Sequence, residues 1–257
     1  MEWSNLGTFV FGSLIGSFLN VCIVRLPRDE SVNHPRSHCR SCQKTLPFYD
    51  LIPIVSYLWR RGKCRFCNAS FSIDYLIVEL LAGCLSVVTF NTFGFRAMGL
   101  AYFSFVASLI AITFIDIHHR IIPDVISMGG TVLGFLLSFY FLTITPLQSF
   151  LGILSGGGIL FLLAYFYFKS TKREGLGGGD IKLAAMIGAF LGYQGVFLTL
   201  FIGSMLGAVW GLIMMIIKKQ NLQYALPFGP FLALGALIVL FYGDHIFYFL
   251  GYNLAIP

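Results

Sequence analysis

Charge is scarce in this chain. Only 11% of its 257 residues are Asp, Glu, Lys or Arg, where a soluble domain carries about 25%. That shortage, beside 57% hydrophobic residues, excludes a disordered chain and describes an integral membrane protein. Six cysteines are too few for a secreted disulfide scaffold of this length, and there is no collagen-like glycine repeat. Met1–Asn5 holds no Lys or Arg, so the basic n-region of a cleavable signal is missing. The first apolar stretch is therefore expected to stay as an anchor. Several catalytic signatures are absent too: no G-x-S-x-G elbow, no H-E-x-x-H pair and no Gly-Lys-Ser/Thr phosphate loop.

What charge there is leans one way, with 17 Lys+Arg against 11 Asp+Glu and a net of +6. In a soluble protein this balance would suggest nucleic acid; in a membrane protein basic residues report which loops stay in the cytoplasm, and no nucleic-acid partner is expected. A bilayer core of roughly 30 Å needs about 20 apolar residues per helix. Leu6–Val24, Ala97–Ile115, Val125–Ile144, Leu147–Phe168 and Val196–Ile217 meet that length, as does Tyr75–Phe95, which carries Glu79. Ile181–Tyr193 and Pro227–Tyr242 are short for a span. With Glu2 outside and all eight stretches threaded, 16 of the 17 basic residues fall inside and Arg96 alone lies outside. Without Ile181–Tyr193, Lys218 and Lys219 would face the wrong side. The expected fold is an all-α integral membrane protein of about eight transmembrane helices with both termini outside. Its expected parts are a first helix at 1–24, a cytoplasmic loop domain at 25–74 and a membrane-embedded domain at 75–257. His245–Pro257 is expected along the outer interface or as the end of the last helix.

The loop domain is too small to rely on a hydrophobic core and needs a staple. Cys39-Arg-Ser-Cys42 and Cys64-Arg-Phe-Cys67 supply one. Two C-x-x-C pairs at this spacing suit a tetrahedral Cys₄ zinc site, each pair on a tight turn, and a reducing cytoplasm favours metal over disulfide. A reduced or redox-active pair is the alternative. Four thiolates leave no open position for water, so the expected role is structural. Cys22 and Cys84 lie in apolar helices and read as packing residues.

The informative carboxylates are those at the membrane boundary, where an ionisable group is expensive: Glu79, Asp116, Asp124 and Asp180. Asp116 is expected to end the third span and Asp180 to open the sixth, at one depth on the cytoplasmic side. Two carboxyl groups brought together there share a proton, as aspartic proteolysis requires. Asp124 follows Pro123 and precedes an apolar run, an N-cap position. Asp180 is open to the same reading, but Gly177, Gly178 and Gly179 before it offer more than a cap needs, since they let backbone approach a substrate closely. Asp116 has no capping role, because a carboxylate at a helix C-terminus opposes the helix dipole. A proton-coupled transporter using Glu79, Asp116 and Asp180 as a relay is the competing reading.

The ordered set Gly16-Ser-Phe-Leu-Asn-Val21 with Arg25-Leu-Pro27, the two C-x-x-C pairs, Val78-Glu-Leu-Leu-Ala-Gly83, Asp116 with Ile122-Pro-Asp124, Gly177-Gly-Gly-Asp180-Ile-Lys-Leu183 and Pro227-Phe-Gly-Pro-Phe-Leu232 resembles the bacterial prepilin peptidases, or type IV leader peptidases. These are membrane aspartic proteases of the GxGD kind. The resemblance implies that Asp116 and Asp180 are the catalytic pair. It implies cleavage of the basic leader of type IV prepilins or pseudopilins, after a glycine and on the cytoplasmic side. The long cysteine-bearing loop resembles that of members which then N-methylate the new terminus with S-adenosylmethionine. A basic leader is not drawn to a basic loop, so the loop cations are assigned to topology and anionic lipid headgroups. The chain departs from the family at Ser72-Ile-Asp-Tyr75, where an Arg-Tyr-Pro-like run is usual.

Overall fold

The structure is a computed structural model and describes residues 2–172, 177–218, 227–249 and 251. Among the described residues there are eight α-helices and no strand: α1 Glu2–Arg25, α2 Val55–Trp59, α3 Asp74–Phe93, α4 Ala97–His119, α5 Asp124–Leu137, α6 Pro146–Thr171, α7 Gly178–Lys218 and α8 Gly229–Phe249. Six of them are long and apolar enough to cross a membrane. Their outward rings and aliphatic chains, such as Leu163, Phe166 and Phe201, are exposed, as lipid-facing side chains are.

The chain forms two compact units, Met1–Ala111 and Ile112–Pro257. In the first, α1 and α3 meet along small residues. A Cβ at Gly16 would stand 2.8 Å from Glu79 Cα, so the backbones touch there, and Ser86 Oγ donates to Thr8 O at 2.6 Å. Between these helices runs the loop. Arg25, at the end of α1, is buried and gives its guanidinium to Ser31 O at 2.8 Å and Pro35 O at 2.7 Å, ordering the chain as it leaves the helix. Ser72 Oγ accepts the Asp74 N–H at 3.2 Å where α3 begins. The loop and the two helices border a partly open cavity of about 640 Å³ with Asn20, Tyr57, Tyr75 and Glu79 in its wall.

In the second unit α6 packs on α7 through glycines. A Cβ at Gly152 would run into Gly188 O, and Ser149 Oγ donates to Ala189 O at 2.8 Å. The chain of α7 is not one straight rod. Gly192 has φ 71° and ψ 179°, a conformation that glycine adopts freely. Ala184 and Val196, on either side of it, both meet the position of a Cβ on Gly156. A continuous helix would set these residues about 18 Å apart, so the chain folds back at Gly192 into two arms.

Four expectations from the sequence need correction. Val125–Ile144 is not a full-length span: α5 stops at Leu137, where Ser138 Oγ bonds Phe135 O at 2.6 Å, and the chain turns toward the Thr145 capping box that starts α6. Hydropathy read across this turn because Phe139, Tyr140 and Phe141 are apolar. The last helix is longer than Pro227–Tyr242 and continues to Phe249, while 252–257 lie outside the described residues, as do the topology markers Arg173 and Lys219. Asp116 does not end its helix, which runs on to His119. Asp124 is not the cap of α5: Pro123 stands there, and Asp124 instead pairs with Lys182 Nζ at 2.6 Å. With α7 divided at Gly192, the apolar segments number eight; α5 and residues 178–191 are too short for a 30 Å core.

Candidate active site and metal centre

Asp116 lies in the last turn of α4 and is 5% exposed. Its main-chain carbonyl accepts the N–H of Arg120 at 2.9 Å, where a left-handed residue (φ 56°) ends the turn. Its carboxylate accepts the N–H of Gly229 on Oδ2 at 3.0 Å. Gly229 is the first residue of α8, so the positive end of that helix offsets the unfavourable dipole of α4. A Cβ at position 229 would stand 2.7 Å from Oδ2, and glycine is what permits the approach. Sequence reasoning missed Gly229, because the contact is made by backbone; the Phe-Gly-Pro run at the helix start was its one trace.

Asp180 is the third residue of α7, half-buried, with its N–H on Gly177 O at 3.1 Å. The two carboxyl groups lie within electrostatic reach of each other. The three glycines differ in surroundings. A Cβ at Gly177 would be 3.1 Å from Asp180 Oδ2 and one at Gly179 2.9 Å from Ile122 Cβ, while among the described residues a Cβ at Gly178 would meet no side chain and no backbone of another element within 4 Å. Ile122, named in the sequence only as part of the Ile122-Pro-Asp124 segment, thus backs the glycine turn. Lys182, read in the sequence as a topology marker and as part of the Gly177–Leu183 segment, is the partner of Asp124. His118 turns Nδ1 to Phe114 O at 2.7 Å, as an interfacial histidine would.

The loop brings its four cysteines together. The sulfurs of Cys39, Cys42, Cys64 and Cys67 all lie within 4.8 Å of one another. Each pair is built the same way. Cys39 N–H bonds Lys44 O at 3.0 Å and Gln43 N–H bonds Cys39 O at 2.8 Å; Cys64 N–H bonds Ala69 O at 2.9 Å and Asn68 N–H bonds Cys64 O at 3.1 Å. Gln43 and Asn68 both take positive φ, 59° and 57°, to close their turns. Arg65 ties the second turn to the Phe48–Leu51 segment with two 2.8 Å bonds to Asp50 and lies over the Tyr49 ring. The Arg65 guanidinium holds the Asp50 carboxyl below its ordinary range. The donor set fits zinc: a tetrahedron with Zn–S near 2.3 Å separates its sulfurs by about 3.8 Å, and Cys39 Sγ to Cys67 Sγ is 3.7 Å. Cys22 is buried in α1 as expected, whereas Cys84 is exposed on α3.

Comparison with known proteins places both sites in one context. The profile of the bacterial peptidase A24 N-terminal domain matches residues 10–93, and that of the type IV leader peptidase family matches 103–212. The prepilin leader peptidase/N-methyltransferase of Aeromonas salmonicida is 35% identical over 269 residues, covering 93% of this chain and 90% of that protein. The chain belongs to the type IV leader peptidase family. The identically named protein of Bacillus subtilis is 34% identical over 245 residues, with 94% and 95% covered, and that of Pseudomonas aeruginosa 33% over 264, with 94% and 91% covered. No solved structure matches the chain. As a type IV leader peptidase family member it is a multi-pass peptidase of the bacterial inner membrane. The competing transporter finds no support: the relatives named above are peptidases, and Glu79 is engaged in the first unit, where Oε2 accepts the Ile54 N–H at 2.7 Å.

Proposed function

We propose that this protein is a membrane aspartic endopeptidase that removes the basic leader of type IV prepilins or pseudopilins at the cytoplasmic membrane face, and then N-methylates the new terminal residue. The observation that carries the first activity is that Asp116, in the last turn of α4, and Asp180, in the first turn of α7, lie within electrostatic reach of each other, with the Asp116 carboxylate fixed by the Gly229 N–H. The relatives' shared name carries the second.

In the proposed reaction one carboxylate, ionised, takes a proton from water as the water oxygen attacks the scissile carbonyl carbon. The other, protonated, gives its proton to the carbonyl oxygen. The tetrahedral diol collapses, the C–N bond breaks, and the departing amine takes a proton back from the pair. The short α5 and the first arm of α7 leave room for water to reach this depth, and Gly177 and Gly178 leave room for an extended substrate backbone. Residues 25–74 act as a cytoplasmic domain whose Cys39, Cys42, Cys64 and Cys67 hold zinc; the metal folds the loop, and the loop cations face anionic lipid. The termini lie outside.

Incubating the purified full-length protein with a prepilin, with and without S-adenosylmethionine, and weighing the products tests this. The expected product has lost its leader in both reactions and is one methyl group heavier only with the donor. An intact prepilin would overturn the peptidase, and a cleaved product of unchanged mass the methyltransferase.

A further inference from the structure

We propose that the cavity in the first unit holds the methyl donor, with Glu79 as the carboxylate that faces its cationic sulfur. This rests on the two-activity reading above. The leader peptidase profile, residues 103–212, contains both aspartates, and the N-terminal profile, residues 10–93, contains neither. A second reaction needs a second small-molecule site, and the four-thiolate cluster has no open position to serve as one.

The cavity has the size and the chemistry. Its volume of about 640 Å³ falls inside the roughly 300–1,000 Å³ of small-molecule sites. Glu79 is 7% exposed in its wall, with Ser17 and Asn20 of α1 beside it. Among the described residues no Lys or Arg pairs with the Glu79 carboxylate. Hydrogen bonds without a countercharge leave a buried carboxylate costly, and a bound cation relieves that cost. The donor carries a sulfonium. Tyr57 and Tyr75 offer rings for an adenine face, and Arg40 and Lys63 offer charge for the donor's own carboxylate.

The transfer balances without another reagent. The acceptor ammonium first loses a proton to solvent. Its nitrogen lone pair then attacks the methyl carbon, and the C–S bond breaks with its electron pair going to sulfur. The products are a methylated ammonium and neutral S-adenosylhomocysteine. Discharge of the sulfonium removes the attraction to Glu79, so the donor is expected to bind more tightly than its product.

Calorimetry on the full-length protein in detergent, titrated with S-adenosylmethionine and with S-adenosylhomocysteine, tests the assignment. Glu79→Gln keeps an acceptor for the Ile54 N–H but removes the charge. It is expected to weaken S-adenosylmethionine by about tenfold or more while changing S-adenosylhomocysteine much less. Val21→Trp, which fills the cavity from α1, is expected to abolish both. Monodisperse elution and an unshifted unfolding midpoint report that each variant is folded. Ultraviolet cross-linking of labelled donor to the wild-type chain gives an answer that needs no variant: the label is expected within residues 17–79. Label confined to 103–212, or donor binding untouched by both substitutions in a wild type that methylates, overturns this assignment alone. A wild type that cleaves but neither binds donor nor methylates overturns the two-activity reading together with it.

Discussion

At the scale of single residues, Asp116 owes its position to a residue with no side chain. Gly229 brings the first N–H of α8 to within 3.0 Å of Oδ2, and a Cβ there would stand 2.7 Å from the same oxygen. Gly229→Ala is therefore expected to displace the carboxylate, and misplacement of about 1 Å can cost on the order of a hundredfold in rate. The check is prepilin cleavage beside the unfolding midpoint, which should change little. Asp124→Asn tests the opposite case. Its pair with Lys182 leaves the side chains 60% and 40% exposed, so the loss in stability should be within about 1 kcal/mol, and cleavage should stay near the wild-type rate. Asp116 and Asp180 stood out in the sequence as candidates because so few carboxylates stand at the membrane boundary. Gly229 and the Asp124–Lys182 pair did not, since one acts through its backbone and the other joins residues distant in the chain.

At the scale of elements, the cysteine turns were legible from spacing and the helix ends were not. C-x-x-C twice in one loop states the ligand set, but the left-handed Gln43 and Asn68 that close the turns leave no mark in hydropathy. The fold-back at Gly192 and the early stop of α5 were hidden for the same reason: apolar residues continue through both turns. The loop makes a quantitative expectation. The backbone N–H of Cys42 holds the Cys39 thiol down to about 6, whereas Cys67, despite the Ala69 N–H on its sulfur, is pushed up to about 12 by desolvation and three neighbouring thiols. A thiol lowered in the folded chain contributes its stability above its ordinary value of 9.0 and loses it as pH falls through about 6. Metal competes with protons for the same sulfurs, so zinc retention should fall as the pH is lowered. Metal analysis should find one zinc per chain at neutral pH and none in Cys39→Ser or Cys64→Ser. A wild-type chain without metal would contradict the assignment.

At the scale of the whole molecule, the proposed orientation rests on charge. Of the 17 basic residues, 16 fall on the side read from the sequence as inside, and Arg96, in the short turn between α3 and α4, falls on the other. A cysteine placed at Arg96 in a background lacking Cys84 should react with a membrane-impermeant maleimide in intact cells, and protection there would reverse the orientation. The central claim is that two aspartates do the proteolysis. Its most direct test is the wild-type protein and Asp180→Asn, purified in parallel with equal zinc content as the measure of a folded loop, each mixed with a prepilin in detergent and weighed by intact mass. The expected result is complete leader loss with the wild type and an unchanged prepilin with Asp180→Asn; a cleaved product from the variant would contradict the aspartyl mechanism.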